Sequence, residues 1–139
     1  MTLLRTIAVG FDGSPDSEEA ARWAFELASR TNADVVVVHA VGLLEHFGGQ
    51  ETAVELEERV RVLTSEVGLG PERVRWHLAD GDPCAVLIRA AAAPVSADLL
   101  VVGSRGQGQH AGLLLGSTGH ELAEHSTIPL VIVPTGRDI

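Results

Sequence analysis

Apolar runs and amphipathic stretches take turns along the whole chain. Thr6–Phe11 (TIAVGF) predicts a strand, and the DGSP that follows supplies a turn and a helix start. Ser14 suits the helix cap and Pro15 the first helical position, while Glu18 and Glu19 favour the positive end of the helix dipole. Ala20, Ala24, Leu27 and Ala28 then recur at helical spacing, with Glu26 and Arg30 paired four apart on the outside. Asp34–Val41 (DVVVVHAV) is a continuous β-branched run, the pattern of a strand covered on both faces. After a glycine-containing stretch from Gly42 to Gly49, Ala53, Leu56, Val60, Leu63 and Val67 mark one face of a second helix. Glu55, Glu58 and Arg59 point away from that face.

LGPE ends the second helix. Arg73–Ala79 (RVRWHLA) alternates as a half-covered strand does, with Val74, Trp76 and Leu78 on one side. DGDP opens a third helix, expected over Pro83–Ala93 with Ala85, Ile88 and Ala92 inward and Pro94 as its stop. Asp98–Val102 is another buried-strand run, Ser117–His125 a fourth helix, and Pro129–Pro134 a last strand closed by proline. The order βαβαβαβαβ, with solidly apolar strands, predicts an α/β fold: a parallel sheet with helices on both faces. Right-handed crossovers narrow the topology further. No linker, repeat or low-complexity segment divides the chain, so residues 1–139 are expected to form one domain.

Composition sharpens this picture. With 139 residues, 45% hydrophobic and 21% charged, the chain can bury a core and is not of the disordered class. No apolar run reaches the roughly eighteen residues of a membrane span. The start lacks a basic region ahead of a long apolar stretch, so a cytoplasmic protein without membrane attachment is expected. The single cysteine, Cys84, builds no disulfide framework and reads as a small buried hydrophobe. A net charge of −9 argues against a nucleic-acid surface. All ten basic residues are arginine. Without lysine there is no Schiff base and no P-loop ammonium, so a phosphate site here must use backbone amides, hydroxyls, a metal or arginine.

Ligands of open parallel sheets sit at the carboxyl ends of the strands. Three features fall there: Asp12-Gly13-Ser14 after the first strand, His39-Ala40 at the end of the second, and Gly103 onward after the fourth. The last, GSRGQGQHAGLLLGST (Gly103–Thr118), is loose and rich in backbone N–H groups, and runs into a helix whose N-terminus suits an anion. The same stretch also reads as a plain loop with a cap at Ser117. Walker A fails for want of lysine. The dinucleotide fingerprint fails because Gly106-x-Gly108 meets Gly112 one residue too late.

Gly103-x-x-Gly106, nine residues, then Gly116-Ser117 resembles the nucleotide-binding signature of the universal stress protein family. AVGFDGSPDSEEAARWAFELA is similar to that family's opening strand and first helix, VVVVHAV to its second strand, and IPLVIVP to its closing strand. The likeness spans essentially the whole chain. It implies a three-layer, Rossmann-like (adenine nucleotide alpha hydrolase-like) domain with five parallel strands ordered 3-2-1-4-5. It also implies a homodimer through Leu130–Val133, and ATP, with magnesium, as ligand. By position, Asp12 would lie near the ribose or a phosphate-bound metal, the backbone of Ala40 at the adenine edge, and Gly103 against the ribose. Gly106, Gly116, Ser117 and Thr118 would hold the phosphates, and Arg105 is either a further phosphate contact or a solvated loop cation. Phe11 stands where the family commonly has a small aliphatic residue, and Gly119 where it commonly has a serine.

Asp12 has a second reading as a turn former. His39, ending a buried strand, reads as a hydrogen-bonded core or pocket-lining residue, and His46, His77 and His110 lack partners at ligand spacing. HELAEH (His120–His125) is not a zinc helix, because histidines five apart lie about 140° around a helix. No nucleophile elbow occurs. Three functions remain. One is an ATP-binding, nucleotide-responsive regulatory or stress-protection domain in which the nucleotide selects one state of the Gly103–Leu115 loop. The others are a dimeric interaction module with a vestigial pocket, and a slow ATPase with Asp12 positioning water.

Overall fold

The computed structural model describes residues 4–41, 53–104 and 117–134. Five strands form one parallel sheet: β1 (Thr6–Gly10), β2 (Asp34–Val41), β3 (Val74–Asp80), β4 (Leu99–Gly103) and β5 (Leu130–Val133), in the order β3-β2-β1-β4-β5. The helices are α1 (Pro15–Arg30), α2 (Ala53–Val67), α3 (Pro83–Arg89) and α4 (Ser117–His125). The expected strand order and parallel pairing are both present.

The central strands explain their own sequences. Ile7 and Val9 of β1, Val35 and Val37 of β2, and Val101 of β4 face α1 and α2. Ala8, Val36, Val38, Leu100 and Val102 face the opposite way, against α3, α4 and the segment before β4. Both faces are covered, so every position must be apolar and the runs do not alternate. Burying a side chain such as Phe25 or Ile7 completely contributes about 2–3 kcal/mol. The edge strand β3 alternates instead. Val74 and Trp76 pack against the first core, but Leu78, expected beside them, is 47% exposed at the far end of the edge.

Helix α1 starts as its sequence requires. Ser14 is extended (φ −71°, ψ 158°) and its Oγ accepts the Ser17 amide at 3.2 Å, with Pro15 at the first turn. Ala20, Ala21, Ala24 and Ala28 let it lie close on the sheet, and Phe25 fills the remaining volume.

Strand ends differ from expectation by a residue, as where β1 stops at Gly10, β4 runs Leu99–Gly103 and β5 runs Leu130–Val133, and one helix end differs by more. Helix α3 is capped by Asp82, whose carboxylate accepts the Ala85 amide at 3.1 Å, but it ends at Arg89 instead of Ala93. Beyond it the bonds tighten to Ala91 N–H on Ile88 O (3.3 Å) and Ala92 N–H on Arg89 O (3.0 Å). Ala97 N–H then closes onto Ala90 O at 2.8 Å, which drops Val95 and Ala97 into the core. Cys84, Val86, Leu87 and Ala90 are therefore the buried positions, and Ala92 is exposed. Strand β3 begins at Val74 because Arg73 belongs to a 3-10 turn, Pro71–Arg73. No helix among the described residues is long and apolar enough to cross a membrane.

Arg73 serves the other end of α1. Its Nη2 donates to Ala28 O at 2.8 Å, Thr31 O at 3.3 Å and Ala33 O, and its Nε lies 3.5 Å from Asp34 Oδ1. A helix leaves its last carbonyls without intrahelical donors, and a cation there also meets the negative end of the dipole. Arg73→Ala is expected to lower stability by about 1–3 kcal/mol in urea unfolding, with Arg73→Lys intermediate. A loss below the error of the midpoint would refute this account of the α1 terminus.

Candidate functional site

Strands β1 and β4 lie side by side, yet the chain leaves them in opposite directions: α1 leads from β1 to β2, and α4 leads from β4 to β5. This reversal is a topological switch point, and in open α/β sheets ligands sit outside the carboxyl ends of the strands at such a point. Val9 is level with Val37 on one side and with Val101 on the other. Two residues further along, Phe11, His39 and Gly103 share one level. The three strand exits singled out in the sequence therefore meet.

Each junction is held by a specific contact. His39 is buried, and its Nδ1 lies 2.8 Å from the Phe11 carbonyl. That carbonyl only accepts, so Nδ1 carries the proton and donates. Phe11 N–H donates to Val38 O at 2.9 Å. Backbone groups alternate along a strand, so Ala40, two residues beyond Val38, turns its amide and carbonyl to the same side, just past the end of β1. Phe11 is 3% exposed and meets Trp76 edge-on, ring centroids 6.4 Å apart. The aromatic ring thus fills core volume beneath the turn.

Asp12 forms the turn itself. Its Oδ1 accepts the Ser14 amide at 2.9 Å, and its own amide lies 3.3 Å from Ser17 Oγ, which in turn donates to Ser14 O at 2.9 Å. Gly13 is buried with φ 85°, a left-handed conformation open to glycine at little cost. The turn role of Asp12 is thereby present in the structure.

On the β4 side, a Cβ added to Gly103 would lie 2.5 Å from the carbonyl oxygen of Asp16. The first turn of α1 rests directly on this glycine. Next to it Ser104 Oγ donates to Asp16 Oδ2 at 3.3 Å. Thr118 is half-buried and Gly119 buried in the first turn of α4, whose Leu122 is fully enclosed. Arg105, Gly106 and Gly116 lie outside the described residues, as do most of the Gly103–Leu115 loop, His46, His110 and the side chain of Ser117.

One contributor escapes the sequence pattern. Arg59, expected on the solvated side of α2, reaches the β1–α1 turn. Its Nη2 donates to Gly13 O at 2.8 Å, and its Nε to Glu18 Oε2 at 3.1 Å, with Nη2 also on that oxygen. A pair 41 residues apart carries no local spacing signal.

A second group of polar atoms lies on the other face. Ligand atoms of Asp82, Cys84 and Glu121 fall within 4.8 Å of one another. Burial, then Glu121, then Asp82, push the Cys84 thiol above its ordinary value of 9.0. It is thus a buried small group whose thiol keeps its proton at neutral pH, as expected. His120 and His125 are exposed, in keeping with surface positions.

Lysine and tyrosine are absent, so Cys84 is the side chain that titrates between about pH 8.5 and 12. Its folded pKa is raised, so the native state keeps a proton that the unfolded state has lost. Stability should be full below pH 9 and decline above it. Cys84→Ala should flatten that decline in urea midpoints taken from pH 8 to 10.5; an unchanged slope in the variant would rule out the thiol as its source.

Residues 4–134 match the model of the universal stress protein family. A universal stress protein of Mycolicibacterium smegmatis is 36% identical over 136 residues, covering 91% of this chain and 45% of that protein. The chain therefore spans about half the length of that relative. Among solved structures, a universal stress protein in complex with cAMP superposes with TM-score 0.76 at 28% identity, covering 97% of this chain and all of that one. The universal stress protein from Archaeoglobus fulgidus in complex with dAMP shares the fold, with TM-score 0.66 at 21% identity, covering 94% and 98%. The chain belongs to the universal stress protein family.

Proposed function

We propose that this chain is a nucleotide-responsive regulatory or stress-protection domain that binds ATP with magnesium in the crevice between β1 and β4. The observation that carries the proposal is the adjacency of these two strands with opposite exits, which supports a site where the ends of β1, β2 and β4 come level. The universal stress proteins solved with cAMP and dAMP support an adenine nucleotide as the class of ligand.

The helix starts around the crevice differ in a way that favours one seat for phosphate. Helix α1 carries Asp16 and Glu18 in its first turn, so its positive end is already offset by carboxylates. The first turn of α4 carries no acidic side chain. Gly106, Gly116, Ser117 and Thr118 would hold the phosphates there by amide and hydroxyl donors, with Arg105 beside them. Asp12 would take a ribose hydroxyl or face the metal, the Ala40 backbone would meet adenine, and Gly103 would approach the ribose. A chain of net charge −9 repels a tetraanion at long range, so magnesium, by halving the ligand's charge, is expected to matter.

Calorimetric titration of the purified protein with ATP and magnesium chloride should give saturable, one-site binding below millimolar concentration. Chelating the metal should weaken it roughly tenfold. No saturable binding up to millimolar ATP would end the proposal.

Strand β5 forms the other edge of the sheet. Its four residues, Leu130–Val133, are half-buried on an apolar edge strand, and an edge of this kind invites pairing. We infer a homodimer through this edge. Sedimentation velocity should then return a mass of about twice 14.6 kDa, whereas monomers at tens of micromolar would refute it.

A further inference from the structure

We propose that Arg59 is a positioning residue that fixes the β1–α1 turn and thereby aims the Asp12 carboxylate; the proposal rests on the nucleotide site inferred above. A single peptide plane links the two side chains. The Gly13 carbonyl and the Ser14 amide belong to the same rigid unit. Arg59 Nη2 donates to that carbonyl at 2.8 Å, and Asp12 Oδ1 accepts from that amide at 2.9 Å. Arg59 and Asp12 therefore grip opposite edges of one plane, and the plane cannot rotate without releasing both.

Rotation is otherwise easy at this point. The plane turns about Gly13 ψ and Ser14 φ, and Gly13, with no Cβ and φ 85°, restrains its side of that motion weakly. Within the turn the Asp12 carboxylate holds the amide edge of the plane, and Arg59 is well placed to hold the carbonyl edge from outside. Leu56, Val60 and Leu63 seat α2 in the core, so the arginine stem leaves from a rigid base. Glu18, one turn into α1, takes Arg59 Nε at 3.1 Å and so aligns the guanidinium with the carbonyl. A planar fork serves a carboxylate and a carbonyl together, which a single ammonium cannot do in the same geometry. The result is a turn ordered before ligand arrives, and binding then orders less of it.

Amide hydrogen exchange by NMR in ligand-free protein tests the restraint, and calorimetry with ATP and magnesium tests its consequence. In Arg59→Ala, exchange at Ser14 should quicken at least about tenfold while Val36 in the core keeps its wild-type rate. The ATP dissociation constant should rise roughly tenfold. Asp12→Ala combined with Arg59→Ala should bind no worse than Asp12→Ala alone, because Arg59 acts through Asp12. A residue that only braces the fold would lower the melting temperature and leave both the Ser14 rate relative to Val36 and the coupling unaffected. A wild-type Ser14 rate in Arg59→Ala, or in Arg59→Lys where Arg59→Ala does not fold, overturns the proposal, and so do additive losses in the double variant. If wild-type protein ignores ATP, the nucleotide reading fails, and Ser14 exchange still decides whether Arg59 holds the turn.

Discussion

The Asp16 carbonyl sits over Gly103 so closely that a methyl group on that glycine would lie 2.5 Å from its oxygen. This contact sets where the first turn of α1 lies relative to β4, and the rest of the crevice follows from it. The Ser104 hydroxyl joins the Asp16 carboxylate only because the two backbones come that close. The β1–α1 turn is held at the mouth of the β1/β4 gap, and its Asp12 lies near the level where β2 ends. A larger residue at 103 would push α1 off the sheet and open the turn. Gly103 is thus needed for packing whether or not a ligand ever approaches it.

The absence of lysine shapes how the molecule uses its cations. Arg73 gathers the Ala28, Thr31 and Ala33 carbonyls at the end of α1, and Arg59 takes the Gly13 carbonyl at its beginning. Each also engages a carboxylate, Asp34 and Glu18 respectively. A guanidinium offers several donors in fixed directions, so one side chain can hold backbone and acid at once. Both ends of the same helix are secured this way, from α2 and from the 3-10 turn before β3.

Much of the fold was legible from residue type and period. The unbroken β-branched run of β2 and the apolar run of β4 announced strands covered on both faces, and Ser14-Pro15 marked the start of α1 within the residue. Where expectation missed, a nonlocal contact decided. Helix α3 stops at Arg89 because Val95 and Ala97 turn back into the core, which no local propensity encodes. Leu78 obeys the alternation of β3 yet stays exposed, because the end of an edge strand has little above it. In the candidate site, Asp12 and Gly103 were proposed from their places at strand ends, but their packing roles were not legible there. Arg59 looked like one more solvent cation on a helix face, since its partners lie far back in the sequence.

Electrostatics then separates the two helix starts nearest the crevice. Asp16 and Glu18 at α1 stabilise that helix by meeting its positive end, and Asp16 and Glu18 are further committed to Ser104 and Arg59. An anion brought to α1 would displace or repel groups that hold the turn in place. Helix α4 presents its first turn without such acids. The two helix starts therefore differ: the positive end of α1 is already met by its own carboxylates, whereas the first turn of α4 carries none. The nucleotide proposed above, with a hydroxyl-bearing ring at one end and phosphates at the other, would match that difference, and a symmetrical polyanion would not.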